Sequence, residues 1–124
     1  LEGVLGTSMC RVIDLEVART GLNEAEAEAA GIPVQVVKTT AHTKPPYYPG
    51  GCELTIKLFC HAETKALLGA QLAGLEGAAS RIGMCALAVD AGVTCPQLAM
   101  ADLGYAPPFN YVWDPVQLAA GMVK

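Results

Sequence analysis

Histidine and clustered basic charge are scarce in this sequence, and each shortage removes a class of function. His42 and His61 are the only two histidines in 124 residues. Neither has an acidic or second imidazole neighbour at ligand spacing, so no metal site is expected. No Ser–His–Asp arrangement is visible either. Eight Lys and Arg against twelve Asp and Glu leave a formal charge of −4. The basic residues are scattered, mostly singly, whereas neutralising phosphates needs them clustered; no nucleic-acid partner is expected. Gly3 to Gly6 and Gly69 to Gly77 have the wrong spacing for a dinucleotide fingerprint. No apolar run is long enough to span a bilayer, and no membrane partner is expected.

Cysteine is present without a framework. Cys10, Cys52, Cys60, Cys85 and Cys95 form no CxxC pair, and their odd count and wide spacing fit neither a secreted disulfide scaffold nor a zinc site. Reduced thiols and a cytoplasmic location are the expectation. Cys52 and Cys60 fall on one extended strand, roughly 26 Å apart at about 3.3 Å per residue, beyond disulfide reach. Cys85 lies in an apolar helix, and buried structural cysteine is the reading for these three. Cys95 precedes Pro96 near a helix start without a basic neighbour, so no reactive thiol is assigned there.

What the chain has in quantity is apolar residues, 52% of the total against 16% charged. That exceeds what a small monomer needs for its core and implies surface covered by a partner. The sequence starts without Met inside an apolar stretch and ends at Met122-Val123-Lys124 without a Gly or Pro stop. A single domain over 1–124, cut from a longer chain, is therefore expected.

Periodicity places the elements. Residues 7–20 carry Val12, Ile13 and Val17 and fit one or two strands. Asn23 followed by Glu26 marks the N-cap of a helix over 24–30, stopped by Gly31 and Pro33. A strand follows over 34–43. The clearest strand is 52–61, with Cys52, Leu54, Ile56, Leu58 and Cys60 on one face; a turn at 62–65 returns it through 67–73 as a hairpin. Residues 77–91 read as a helix apolar almost all round, with only Ser80, Arg81 and Asp90 strongly polar, hence buried on two sides. Thr94 opens a short helix to Ala101. Asp114-Pro115 opens a last one running to the end of the chain. This order predicts an α+β fold: an antiparallel sheet with helices packed on one face.

Two proline-rich loops interrupt the elements, Lys44-Pro45-Pro46-Tyr47-Tyr48-Pro49-Gly50-Gly51 and Tyr105-Ala106-Pro107-Pro108-Phe109. All four tyrosines, Tyr47, Tyr48, Tyr105 and Tyr111, lie in or beside them. A phenol on a proline-locked loop is a well-placed hydrogen-bond donor with an apolar body. On composition alone the same tyrosines also read as rim residues beside strand-ending prolines.

At these loops the sequence resembles a known family. Gly6-Thr7-Ser8 leads through Asp14-Leu15-Glu16-Val17-Ala18-Arg19-Thr20-Gly21-Leu22. Tyr47-Tyr48-Pro49-Gly50, Leu68-Gly69-Ala70-Gln71, Arg81-Ile82, and Tyr105-Ala106-Pro107-Pro108-Phe109 with Asp114-Pro115-Val116 follow in order. Together, over essentially the whole chain, they resemble the C-terminal dimerisation domain of pyridine nucleotide–disulfide oxidoreductases. The branch is that of coenzyme A–disulfide reductases, NADH oxidases, NADH peroxidases and persulfide reductases.

The resemblance implies a homodimer whose parent chain carries FAD and NAD(P)H domains ahead of this one and acts on a small-molecule disulfide, persulfide or oxygen. It implies that the 124-residue piece alone binds no cofactor and turns nothing over. By position, Tyr105 and Tyr47 or Tyr48 correspond to tyrosines serving the partner subunit's active site. The loop containing Ala106 and Pro107 corresponds to one reaching towards the partner's flavin. Glutathione-reductase-like members carry a His paired with Glu at that loop; its absence here favours the coenzyme A and NADH-oxidase branch. An NADH oxidase or peroxidase parent stays open beside the reductase, as does a free-standing interaction domain without enzymatic parent.

Overall fold

The computed structural model describes residues 3–124 and contains one five-stranded antiparallel sheet with four helices. β1 (Ser8–Val12) and β2 (Leu15–Gly21) form a hairpin. α1 (Glu24–Ala29) leads into β3 (Val34–His42), β4 (Glu53–His61) and β5 (Leu67–Gly74), and then come α2 (Ala78–Asp90), α3 (Cys95–Ala99) and α4 (Pro115–Ala120). The strand order is β1-β2-β5-β4-β3. Chain neighbours therefore pair throughout, except that β2 joins β5 across the chain. The α+β expectation holds, with the 7–20 segment supplying two strands.

The core follows from the alternation in β4. Leu54, Ile56, Leu58 and Cys60 are all fully buried, and with Ala18, Ala70 and Leu72 of β2 and β5 they meet Ala78, Ile82, Cys85 and Ala88 of α2. Leu98 of α3 and Val116, Ala119 and Ala120 of α4 complete the cluster. At about 1.5–3 kcal/mol for each large side chain withdrawn from water, this cluster is the main source of stability. Leu58, Phe59 and Cys60 are buried in succession, Phe59 on the face away from α2; the register shift at Phe59 and Cys60 skips Leu68 of β5 and so turns Leu67 into the core. On that face α1 lies against β3 and Glu24 reaches Lys57 of β4 at 3.6 Å.

The β2–β5 junction depends on two glycines. Gly21 and Gly69 are register partners, and Gly21 has φ +65°. A Cβ on Gly21 would run into the Leu68 carbonyl, and one on Gly69 into that of Leu22. Neither position admits a side chain without separating the strands.

Helix ends agree with the capping residues read from sequence. Asn23, Thr94 and Asp114 each cap a helix in a reciprocal box with Glu26, Gln97 and Gln117. The last helix does not run to the chain end: Gly121 is its C-cap and its N–H bonds to the Gln117 carbonyl. α2 is covered on one side only. Its open side carries Leu87, 70% exposed, which is the unpartnered face the apolar pattern implied.

The expectation of reduced thiols is corrected. Cys60 and Cys95 form a disulfide joining β4 to the first residue of α3, so the thiols are not all reduced; Cys10, Cys52 and Cys85 remain free. The pairing needs the tertiary contact between a strand end and a helix start 35 residues apart, which spacing along one strand does not reveal. Arg81, counted among the polar residues of an apolar helix, is buried. Its position is made possible by Asp114, as described below. No described helix is long and apolar enough to cross a membrane.

Candidate functional site

Thr43 closes the base of the first proline-rich loop. Its N–H donates to the Cys52 carbonyl at 2.9 Å, and its Oγ1 accepts from the Cys52 N–H at 3.1 Å. Within the loop the Tyr48 N–H donates to the Pro45 carbonyl at 2.9 Å. Pro45 is buried beneath, and Tyr47 projects outwards, 74% exposed. Proline fixes φ at two successive residues here, so Tyr47 is presented by a stiff segment.

The second loop joins α3 to α4. Its upstream arm is held by Gln117 of α4, whose Nε2 donates to the carbonyls of Ala101 at 2.7 Å and Ala99 at 3.4 Å. Its downstream arm ends at Asp114, whose Oδ1 accepts from the Val116 N–H at 2.9 Å. Asp114 Oδ2 accepts from Arg81 Nε at 2.8 Å, and Arg81 Nη1 donates to the Gly77 carbonyl at 3.1 Å. Gly77 has φ +99°, and a Cβ there would collide with the Arg81 guanidinium and press on Thr43 Cγ2 at 3.2 Å. Arg81 thus lies between the bases of the two loops, touching the helix cap of one and the glycine that packs on the other.

The outcome is a pair of phenols. Tyr47 Oη and Tyr105 Oη stand 3.5 Å apart, at the long limit of a hydrogen bond, with either hydroxyl able to donate. Tyr105 is 46% exposed, so the pair faces outwards. The hydrogen bond to Tyr47 keeps the Tyr105 phenol protonated above its ordinary range, aided by partial burial and by the neighbouring Tyr47 and Tyr111. Like any tyrosine, Tyr105 carries its proton at neutral pH and can act as a donor.

Of the other residues singled out by sequence, Tyr48 is half-buried and makes no side-chain hydrogen bond with either phenol among the described residues. Ala106 and Pro107 are half-buried beside Tyr105, and the Ala106 carbonyl accepts from the N–H groups of Phe109 and Asn110 at 2.9 and 3.0 Å. His61 is the last residue of β4 and holds the following turn, its Nδ1 accepting from the Glu63 and Thr64 N–H groups at 3.2 and 3.3 Å. Among the described residues no three His, Cys, Asp or Glu gather as a metal site. The Cys85 thiol, buried against the core and close to the Asp114 charge, is pushed up to about 12 and is not a nucleophile.

Sequence reading passed over Thr43, Arg81, Asn110 and Gln117 as parts of the site. Asn110, two residues after the Pro107-Pro108 step, carried the one usable signal, because Asn in a proline-rich turn often bonds the turn's own backbone through its side chain.

Comparison with known proteins supplies the context of these loops. A family model described as "Pyridine nucleotide-disulphide oxidoreductase, dimerisation domain" matches residues 7–115. The chain is 45% identical over 122 residues to an NAD(P)H sulfur oxidoreductase (CoA-dependent) of Pyrococcus furiosus, covering 98% of this chain and 27% of that protein. It is 36% identical over 117 residues to an NADH oxidase of Methanocaldococcus jannaschii, covering 94% of this chain and 26% of the relative. Among solved structures, an NAD-dependent persulfide reductase from A. fulgidus superposes with a TM-score of 0.95 at 35% identity, over 98% of this chain and 23% of that one. The chain therefore spans about a quarter of the length of the curated relatives it matches.

Proposed function

Because the chain belongs to the dimerisation-domain family of the pyridine nucleotide-disulphide oxidoreductases, we propose that it pairs two subunits of an FAD-dependent NAD(P)H:disulfide or persulfide reductase and lends Tyr105 and Tyr47 to the neighbour's active site. The observation that carries this reading is the meeting of the two phenols at 3.5 Å from loops 58 residues apart. Two stiff loops, buttressed by one buried ion pair, bring a protonated hydroxyl to the surface, where a partner's site can use it.

The chain's own contribution is hydrogen-bond donation. When a disulfide or persulfide S–S bond is cleaved, the departing sulfur takes the electron pair and becomes a thiolate. A donor fixed beside that sulfur stabilises the charge as it develops. Tyr105 holds the proton, and Tyr47 orients its hydroxyl. Tyr48 is left as a packing residue of the first loop, while Ala106 and Pro107 present a small apolar edge towards the flavin. FAD would supply electron transfer between NAD(P)H and the sulfur centre. The residues here fit an edge of that site and not its phosphates, since the chain has no glycine-rich dinucleotide loop. The open Leu87 face of α2 fits subunit pairing, and a cytoplasmic setting goes with the family reading.

The test uses the full-length flavoenzyme with Tyr105→Phe. We expect disulfide or persulfide turnover to fall by about 10²-fold, within the usual range for a positioned proton donor, while reduction of the flavin by NAD(P)H is unchanged. Unaltered turnover would sink the tyrosine role. The NADH-oxidase relative supports a second reading, oxygen as acceptor; oxygen consumption outrunning coenzyme A disulfide or persulfide reduction in the wild-type enzyme would select it.

A further inference from the structure

Tyr105 needs a fixed backbone as well as a stiff loop, and one side chain supplies it. Asn110 Oδ1 accepts from the Ala106 N–H at 3.1 Å, and Asn110 Nδ2 donates to the Gly104 carbonyl at 2.6 Å. Those two groups belong to the peptide planes on either side of the Tyr105 Cα. Since φ and ψ of Tyr105 are the rotations relating these planes, one amide holding both planes fixes both angles. The Asn110 N–H closes the same turn on the Ala106 carbonyl at 3.0 Å, and Pro107 and Pro108 restrict the intervening residues.

We propose that Asn110 is a positioning residue for the Tyr105 phenol, an inference that rests on the tyrosine role above. Its amide grips the backbone on both sides of Tyr105 and points the hydroxyl at Tyr47 and at the neighbouring active site. The grip needs an acceptor and a donor on one planar group. A carboxylate would keep the bond from Ala106 but face the Gly104 carbonyl with an acceptor, and alanine would release both.

The experiment is a double-mutant cycle in the full-length flavoenzyme, with Asn110→Ala, Asn110→Asp and Tyr105→Phe singly and Asn110→Ala combined with Tyr105→Phe. The expected result is that Asn110→Ala lowers kcat for disulfide or persulfide reduction about tenfold or more, as misplacing a catalytic group does. Asn110→Asp falls between, and Asn110→Ala costs less than twofold once Tyr105 is Phe. A loss that persists in the Tyr105→Phe background assigns Asn110 to the fold alone and overturns the proposal. Full activity of Asn110→Ala beside an impaired Tyr105→Phe also overturns it, leaving the tyrosine role intact. If Tyr105→Phe is itself fully active, the tyrosine role and the catalytic part of this proposal fall together. The grip is then decided separately on the 124-residue chain by nuclear Overhauser contacts between the Tyr47 and Tyr105 rings. Their loss in Asn110→Ala, in a chain still folded by circular dichroism, supports it, and their persistence refutes it.

Discussion

Arg81 and Asp114 form an ion pair at 2.8 Å with their side chains 9% and 8% exposed. The same Asp114 caps α4, and the same Arg81 binds the Gly77 carbonyl. One pair therefore ties α2 to α4 beneath both tyrosine loops. Removing one member of a buried pair leaves the other charged and desolvated, at a cost of about 3–5 kcal/mol. Asp114→Asn separates the pairing from the cap, because Asn caps a helix as well as Asp does. Denaturant unfolding should show a loss of several kcal/mol for Asp114→Asn. A loss below about 1 kcal/mol would assign the stability to the cap and not to the pair.

Stability should fall with acidification through one identifiable carboxylate. Burial of Glu16 opposes its ionisation, but the Ala79 and Gly77 N–H groups at 3.1 and 3.0 Å and Arg11 at 2.9 Å outweigh it and lower its pKa below the ordinary 4.5. A lowered folded-state pKa means that the unfolded chain binds the proton first. The contribution is whole above pH 4.5 and disappears as the pH drops through the lower folded value. Glu16→Gln should flatten the stability profile in that window and leave its shape above it unchanged, as chemical denaturation between pH 2.5 and 6 would check. A wild-type profile already flat there would refute the assignment.

Thiol counting tests the cysteine arrangement. Unfolded without reductant, the chain should expose three free thiols, Cys10, Cys52 and Cys85. Folded, iodoacetamide at pH 8 should label exposed Cys10 fastest and spare Cys85, whose thiol is pushed up to about 12. Bridging residues 35 apart should stabilise the fold by about 3–4 kcal/mol through the unfolded chain's lost entropy. Reductant should lower the Tm accordingly, and Cys95→Ala should abolish that sensitivity.

Local chemistry made much of this fold legible. Three helix N-termini could be read because Asn23, Thr94 and Asp114 cap through side chains three residues away. β4 could be read because its pleat writes the core into alternate residues. What escaped were relations across the chain. Arg81 was visible only as one of three polar residues in an apolar helix; its partner Asp114 lies 33 residues on. Cys95 looked unpartnered because its partner ends a strand in another layer. The end of α4 was lost differently: Gly121 was in plain view as a stop, but the apolar residues after it read as more helix. Tyr47 and Tyr105 were picked out by their loops and by family likeness, and their meeting was not visible in either segment alone.

The β2–β5 pairing has a kinetic consequence. β3, β4 and β5 can join through short connections, whereas β2 must close a loop of roughly fifty residues against β5, and such closures form late when chain entropy governs the order of events. α4, which carries both anchors of the second loop, comes later still in the chain. The two phenols meet only once the segment after β3 and the segment after α3, 58 residues apart, have been brought together. A nascent or damaged chain would offer a neighbouring subunit no partial site, and the encounter of Tyr47 with Tyr105 would act as a mark of completed folding.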